Sequence, residues 1–346
     1  MPLLKQLSKK IDKNSIIDYI KRNPALFEKA EKDCLISVNV LRSEKKRTFR
    51  AKMDDVSLFL KFNIPFWDDD NIKQKMINEK KALEIFKEEG VKGVPELYGY
   101  DASRAYFNAE VLITNYIADT RKSINKNNIA QLVAVVKRIH SIKSHNFTIP
   151  YGDFTKKING TGYDFINFYL EVLARDIKKL NESRALQKIF RHISLNEPFL
   201  FIRKKIMYSR KMFNTAKDFS LIHGHLARHR ERKHILIDKN NNIYLIDWEN
   251  VCFGERDLEL ASFLYENSGL NSNLKKVFLN LYSGDSRLNY KKIYIYIFLL
   301  RLDDLIEEIK RIGLLLKAGC ISEVNKEILF SLYKQKRSLL ALEGRV

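Results

Sequence analysis

Apolar residues alternate with polar ones only ahead of residue 117; beyond it they recur at helical intervals almost without interruption. That split confines the chain to an α+β fold, in which a small antiparallel sheet precedes a larger, mainly helical region. The runs LISVNVL, VSLFLKFN and AEVLITNYI carry the β-rich texture, the first two separated by the polar and basic SEKKRTFRAKMDD. Between the second and third, INEKKALEIFKEEG has the apolar stripe of a helix and meets its stop at Gly90. Downstream, IAQLVAVVKRIHSI, FINFYLEVLARDIKKL and IYIFLLRLDDLIEEIKRI each gather their apolar residues on one face. One segment breaks the pattern: in 221–249, HILID and IYLID flank DKNNN and read as a β-hairpin with an Asn-rich turn. The expected organisation is a helical extension over 1–33, a sheet-bearing small lobe over 34–117 and a helical lobe over 118–346.

Lys and Arg number 62 against 42 Asp and Glu, a formal net charge of +20. Such an excess points to an anionic partner: a phosphorylated metabolite, nucleic acid or acidic lipid. Abundant Asn, Ile and Lys are equally the mark of AT-rich coding. Cys34, Cys252 and Cys320 show neither disulfide-framework nor metal-ligand spacing, which suits a reducing compartment. No apolar signal-peptide core opens the chain, and the longest apolar run, IYIYIFLL, falls far short of the ~20 residues of a spanning helix. A soluble, cytoplasmic protein is the expectation.

Two stretches carry the chemistry. LIHGHLARHRERKHILID sets His223, Gly224 and His225 ahead of Arg228, His229, Arg230, Glu231, Arg232 and Lys233. LIDWENVCFGERDLELASF then places Asp247 and Glu249 on either side of Trp248, between an apolar strand and a helix start. With Lys61 in VSLFLKFN and Glu79 in INEKKALEIF ahead of them, these motifs, in this order, resemble the aminoglycoside phosphotransferase and choline kinase family. That family has the bilobal protein-kinase-like fold, and the resemblance runs over residues 35–320.

The resemblance implies an ATP-dependent (or GTP-dependent) kinase that moves the γ-phosphate to a hydroxyl of a small molecule or sugar. Phosphoryl transfer relies on positioning and electrostatics, so each implied role is a charge held in a fixed place. Lys61 would hold the nucleotide phosphates, Glu79 would pair with it, and the backbone of Asn115, Tyr116 and Ile117 would hold the adenine. Asp247 would carry Mg²⁺, because a hard cation prefers carboxylate oxygen, with Glu249 assisting and His234 in the slot that the family fills with Asn. The family pattern His-Gly-Asp-x-x-x-x-Asn keeps His223 and Gly224 here, but His225 replaces the acid and the interval to His234 is longer. An imidazole of pKa about 6.5 can take a hydroxyl proton, yet it supplies no fixed negative charge. Glu231, in HRERKHIL, faintly resembles the carboxylate of the protein-kinase His-Arg-Asp loop and is the rival acid.

Arg228, Arg230, Arg232 and Lys233 form either a solvated basic loop or an anion-binding one. The second case favours an anionic acceptor, such as a phosphosugar, over a polycationic one. Two rival functions stand beside the kinase. One is a pseudokinase or nucleotide-binding scaffold, silenced by His225. The other is a nucleic-acid- or membrane-surface-binding protein drawn by the net charge.

Overall fold

A computed structural model describes residues 11–23, 36–42, 47–53, 56–63, 70–107, 109–143, 162–186, 189, 193–213, 219–224, 226, 234–267, 270–284, 288–319 and 326–346. The chain divides into two compact units. One comprises Met1–Ser141, Ile149–Asp153 and Arg228–Cys252; the other comprises Ile142–Thr148, Phe154–Ala227 and Phe253–Val346.

The first unit is built on a five-stranded antiparallel sheet of order β1-β2-β3-β5-β4. Its strands are β1 (Ile36–Arg42), β2 (Arg47–Met53), β3 (Val56–Asn63), β4 (Leu97–Asp101) and β5 (Glu110–Asn115). The segment SEKKRTFRAKMDD, expected as a polar connection, therefore contains strand β2. Its period of two explains why: Phe49, Ala51 and Met53 are buried, while Thr48, Arg50 and Lys52 point to the wetter face. Average polarity hid a pattern that alternation reveals.

Helix α1 (Lys13–Arg22) opens with a capping box between Asp12 and Ser15 and ends before Pro24. Ile16, Tyr19 and Ile20 bury into one cluster with Val38, Phe49 and Phe62 from the sheet and Phe107 from the turn ahead of β5. Each large side chain removed from water there contributes about 1.5–3 kcal/mol. Tyr19 also donates from its hydroxyl to Asp101 Oδ2 at 3.0 Å. Helix α2 (Asp70–Glu88) begins a few residues earlier than its apolar stripe suggests and is closed by Gly90 at φ 62°. Helix α3 (Lys126–His140) is capped by Asn125 and Asn128, and His140 is buried on its inner face.

The expected hairpin is present, from β7 (Ile235–Ile237) to β8 (Ile243–Leu245), with Ile235 opposite Leu245 and Ile237 opposite Ile243. Asp238 Oδ1 accepts the N–H groups of Asn240 and Asn242, both at 2.8 Å, and Asn241 takes φ 64° to close the turn. Backbone bonds fasten the hairpin from outside: Leu245 N donates to Gly93 O at 2.8 Å and Thr120 N to Ile237 O at 2.9 Å. Gly93 sits at φ 80°, and a Cβ there would lie 2.7 Å from Val135 Cγ2 and 3.0 Å from the Ile243 carbonyl. Gly93→Ala is thus expected to destabilise the chain by about 2 kcal/mol or more, read as a lower urea midpoint at unchanged slope.

The second unit is mainly helical: α4 (Gly162–Glu182), α5 (Asn196–Tyr208), α6 (Arg256–Glu266), α7 (Ser272–Ser283), α8 (Tyr290–Lys317) and α9 (Lys326–Leu340). Short strands β6 (Ser220–Ile222) and β9 (Cys252–Gly254) lie ahead of α6 in sequence. Helix α8 supplies the central row Ile295, Phe298, Leu302, Leu305 and Ile309, all buried. Lys292 near its start is only 1% exposed, and its charge is matched by Glu255 at 2.7 Å and Asp257 at 3.0 Å. Asp257 therefore ties α6 to α8. Among the described residues, no helix is long and apolar enough to cross a membrane.

Candidate active site

Lys61 lies on β3, one of the inner strands, opposite Thr48 of β2 and Leu112 of β5. An ammonium there has little water around it; the residue is 6% exposed. Three carboxylates compensate. Lys61 Nζ stands 2.6 Å from Glu79 Oε2, 2.7 Å from Asp247 Oδ1 and 3.1 Å from Glu249 Oε2. Burial alone would release the proton from Lys61, but Asp247, Glu79 and Glu249 outweigh it and hold the ammonium well above its ordinary pKa. Glu79 moves up from its usual value because it too is buried, an effect that Lys61 opposes and Asp247 reinforces.

Trp248 explains how the acids are held. Its indole is fully buried, packs edge-on to Phe86 at 4.5 Å between ring centroids, and donates Nε1–H to Leu245 O at 2.9 Å. Its backbone N–H donates to Glu79 Oε1 at 3.2 Å. The ring is thus a peg that fixes the residues on either side of it. Asp247 takes the left-handed conformation, φ 65° and ψ 60°, which costs a non-glycine residue about 1 kcal/mol. That turn aims its carboxylate at Lys61, while Oδ2 faces His234 Nε2 at 3.7 Å. His234 is in turn placed by its carbonyl, which accepts Ile246 N–H at 2.9 Å.

The donor set fits a hard divalent cation. Carboxylate oxygens of Glu79, Asp247 and Glu249 lie within 4.8 Å of one another. Glu79 spends one oxygen on Lys61 and the other on Trp248 N–H, so it fits an anchoring role. Asp247, the most exposed of the three side chains at 37%, and Glu249 are the acids with the geometry to hold a metal.

Structure thus brings together Lys61, Glu79, Asp247, Glu249 and His234, all within the first unit. Of the backbone groups expected to hold adenine, Asn115 N–H donates to Glu96 O at 3.1 Å and Tyr116 N–H to Ser57 O at 2.7 Å. The Tyr116 ring is covered by the Arg50 guanidinium, 4.5 Å from its centroid. His225, Arg228, Arg230, Glu231, Arg232 and Lys233 lie outside the described residues.

His223 and Gly224 belong to the second unit, where a residue that motif reading passed over controls them. Glu259 on α6 accepts the Gly224 N–H at 2.9 Å and the His223 N–H at 3.3 Å. Ser262 and Asn267 extend the clamp, taking the Leu226 N–H at 3.3 Å and donating to its carbonyl at 2.8 Å. The signal was a second acid in RDLELASF, two residues after Asp257. Burial raises the Glu259 pKa to about 7, against the lowering pull of the Gly224 and His223 amides. A folded pKa above the unfolded one means that the native state holds a proton the unfolded chain has lost. Stability should therefore fall as pH rises between the ordinary carboxylate range and about 7. Glu259→Gln should flatten that slope in urea titrations across this window, while Glu259→Ala, which strands two amides, should cost about 2–4 kcal/mol.

No family model matches the sequence. The chain is 25% identical over 192 residues to a LicA protein homolog of Mycoplasma capricolum, a match covering 55% of this chain and 66% of that relative, just under two thirds of its length. Among solved structures it is similar to the choline kinase LicA of Streptococcus pneumoniae, with TM-score 0.59 and 17% identity over 94% of this chain and 99% of that one. It is also similar to a Plasmodium vivax ethanolamine kinase, with TM-score 0.56 and 15% identity over 90% and 83% of the two chains. A third is spectinomycin phosphotransferase with bound ADP and spectinomycin, at TM-score 0.52 and 12% identity over 90% and 93%. With its five-stranded antiparallel sheet, its mainly helical remainder and these relatives, the chain has the protein-kinase-like fold of the choline kinase and aminoglycoside phosphotransferase family.

Proposed function

We propose that the chain is an ATP-dependent phosphotransferase acting on the hydroxyl of a small molecule, with Mg²⁺ as its cofactor. The observation that carries this reading is the buried Lys61–Glu79 pair meeting Asp247 and Glu249 at one ammonium. Bound Mg²⁺ would neutralise phosphate charge and polarise the transferring group. This chain's residues supply the rest. Glu79 holds the Lys61 ammonium in place, and Lys61 gives the triphosphate a fixed cation, exchanging carboxylate oxygens for phosphate ones. Asp247 and Glu249 hold the metal, with His234 beside them. Ile117, whose two predecessors commit their N–H groups to backbone carbonyls, is the member of the connector best suited to hold adenine. Residues 34–117 and 118–346 would serve as the small and large lobes. The activity would be housed in the cytoplasm.

His225 takes the place of the catalytic acid, with His223 and Glu231 near it in sequence. As a base without fixed charge, it supports slow transfer. His225→Asp should then raise acceptor-dependent turnover at least tenfold. Unchanged, absent turnover in both forms would favour the pseudokinase reading instead.

The acceptor has two readings. Arg228, Arg230, Arg232 and Lys233 favour an anionic one. The names of the relatives, choline kinase, ethanolamine kinase and spectinomycin phosphotransferase, favour an amine-bearing alcohol. A panel of choline, ethanolamine, spectinomycin and phosphosugars, followed by transfer of labelled γ-phosphate, separates the two.

A further inference from the structure

We propose that helix α5 is a docking surface for an anionic lipid bilayer. Its buried face is ordinary: Phe199, Ile202 and Ile206 pack inward. Its opposite face is not. Leu200 and Met207 are each 58% exposed and Tyr208 is 79% exposed. They stand at positions i, i+7 and i+8, on one stripe of the helix. Between and just beyond them lie the exposed Arg203, Lys204, Arg210 and Lys211, and the Lys204 ammonium sits 6.0 Å from the Tyr208 ring. The single acid of the helix, Glu197, is already paired with Lys336 of α9 at 3.2 Å.

Apolar and cationic groups that share an exposed face match the two layers of a membrane surface. Lys and Arg reach anionic headgroups while Leu, Met and Tyr leave water at the acyl boundary. A nucleic acid would satisfy the cations but gain little from Leu200 and Met207. A second copy of a chain carrying +20 would be repelled at this face. The lipid surface is the occupant that uses both halves of the pattern, and this inference does not depend on the proposed activity.

The test is sedimentation of the full chain with phosphatidylcholine vesicles, pure or containing one third phosphatidylglycerol. Binding is expected only with phosphatidylglycerol present, and salt should weaken it. Arg203→Gln and Lys204→Gln should each lower the partition coefficient about fivefold. The pair Leu200→Ser and Met207→Ser, at constant charge, should lower it at least tenfold, with thermal unfolding as the check on folding. Tyr208→Trp supplies a second readout, a blue shift of emission on binding. Absence of binding, equal binding to pure phosphatidylcholine, or binding that survives loss of the apolar pair would overturn the proposal. The last result would mark a plain polyanion site, which preference for an RNA oligonucleotide over vesicles would identify.

Discussion

Lys61→Met is expected to destabilise the chain by about 3–5 kcal/mol at neutral pH and to abolish any phosphoryl transfer. Methionine fits the apolar run of the strand, so lost packing is not the cause. What remains is a buried Glu79 next to Asp247 and Glu249 with no cation among them. Glu79 already has a raised pKa through burial, and removal of the opposing ammonium raises it further. The native state then keeps a proton that the unfolded chain releases. Stability must fall as pH rises from the ordinary carboxylate range through that raised folded pKa, and the deficit against wild type should shrink on acidification. Urea unfolding at about pH 5.5 and about pH 8 reads the difference. Adding Glu79→Gln to Lys61→Met should recover part of the loss at the higher pH. A deficit independent of pH would place the cost in packing instead.

Asp247→Asn should leave stability within about 1 kcal/mol while cutting transfer by about 10³-fold or more. The side chain is partly exposed, and an amide keeps the size and one acceptor oxygen for Lys61. Its charge, however, is what a divalent cation requires. Glu249→Gln should follow the same pattern more weakly. Its side chain is the less exposed of the two and its contact with Lys61 is the longer, at 3.1 Å. Turnover with saturating nucleotide, set against urea midpoints of the same preparations, separates the two effects.

Much of this site was legible in the sequence because charges are rare inside apolar runs. A lysine in VSLFLKFN and an aspartate closing IYLID must be paired or exposed, and both turn out to meet each other. The hairpin was legible for a similar reason, two apolar triplets around an Asn-rich turn. Strand β2 was not, since Arg47, Arg50 and Lys52 mask its alternation. Glu259 was hidden differently: an acid in the first turn of a helix satisfies the helix dipole whether or not it holds a loop. Trp248 reads as an ordinary core residue until its backbone is seen to join Glu79. The commitment of Asn115 and Tyr116 N–H groups depends on partners distant in sequence, which no local pattern encodes.

The most direct measurement is calorimetric titration of ATP into the wild-type chain and Asp247→Asn, each with and without Mg²⁺. Metal-dependent binding is expected in the wild type, with an affinity gain of at least tenfold that Asp247→Asn abolishes while metal-free binding persists. Equal ATP affinity in all four titrations, or no binding in any, would contradict the assignment of these carboxylates and Lys61 to a metal–triphosphate site.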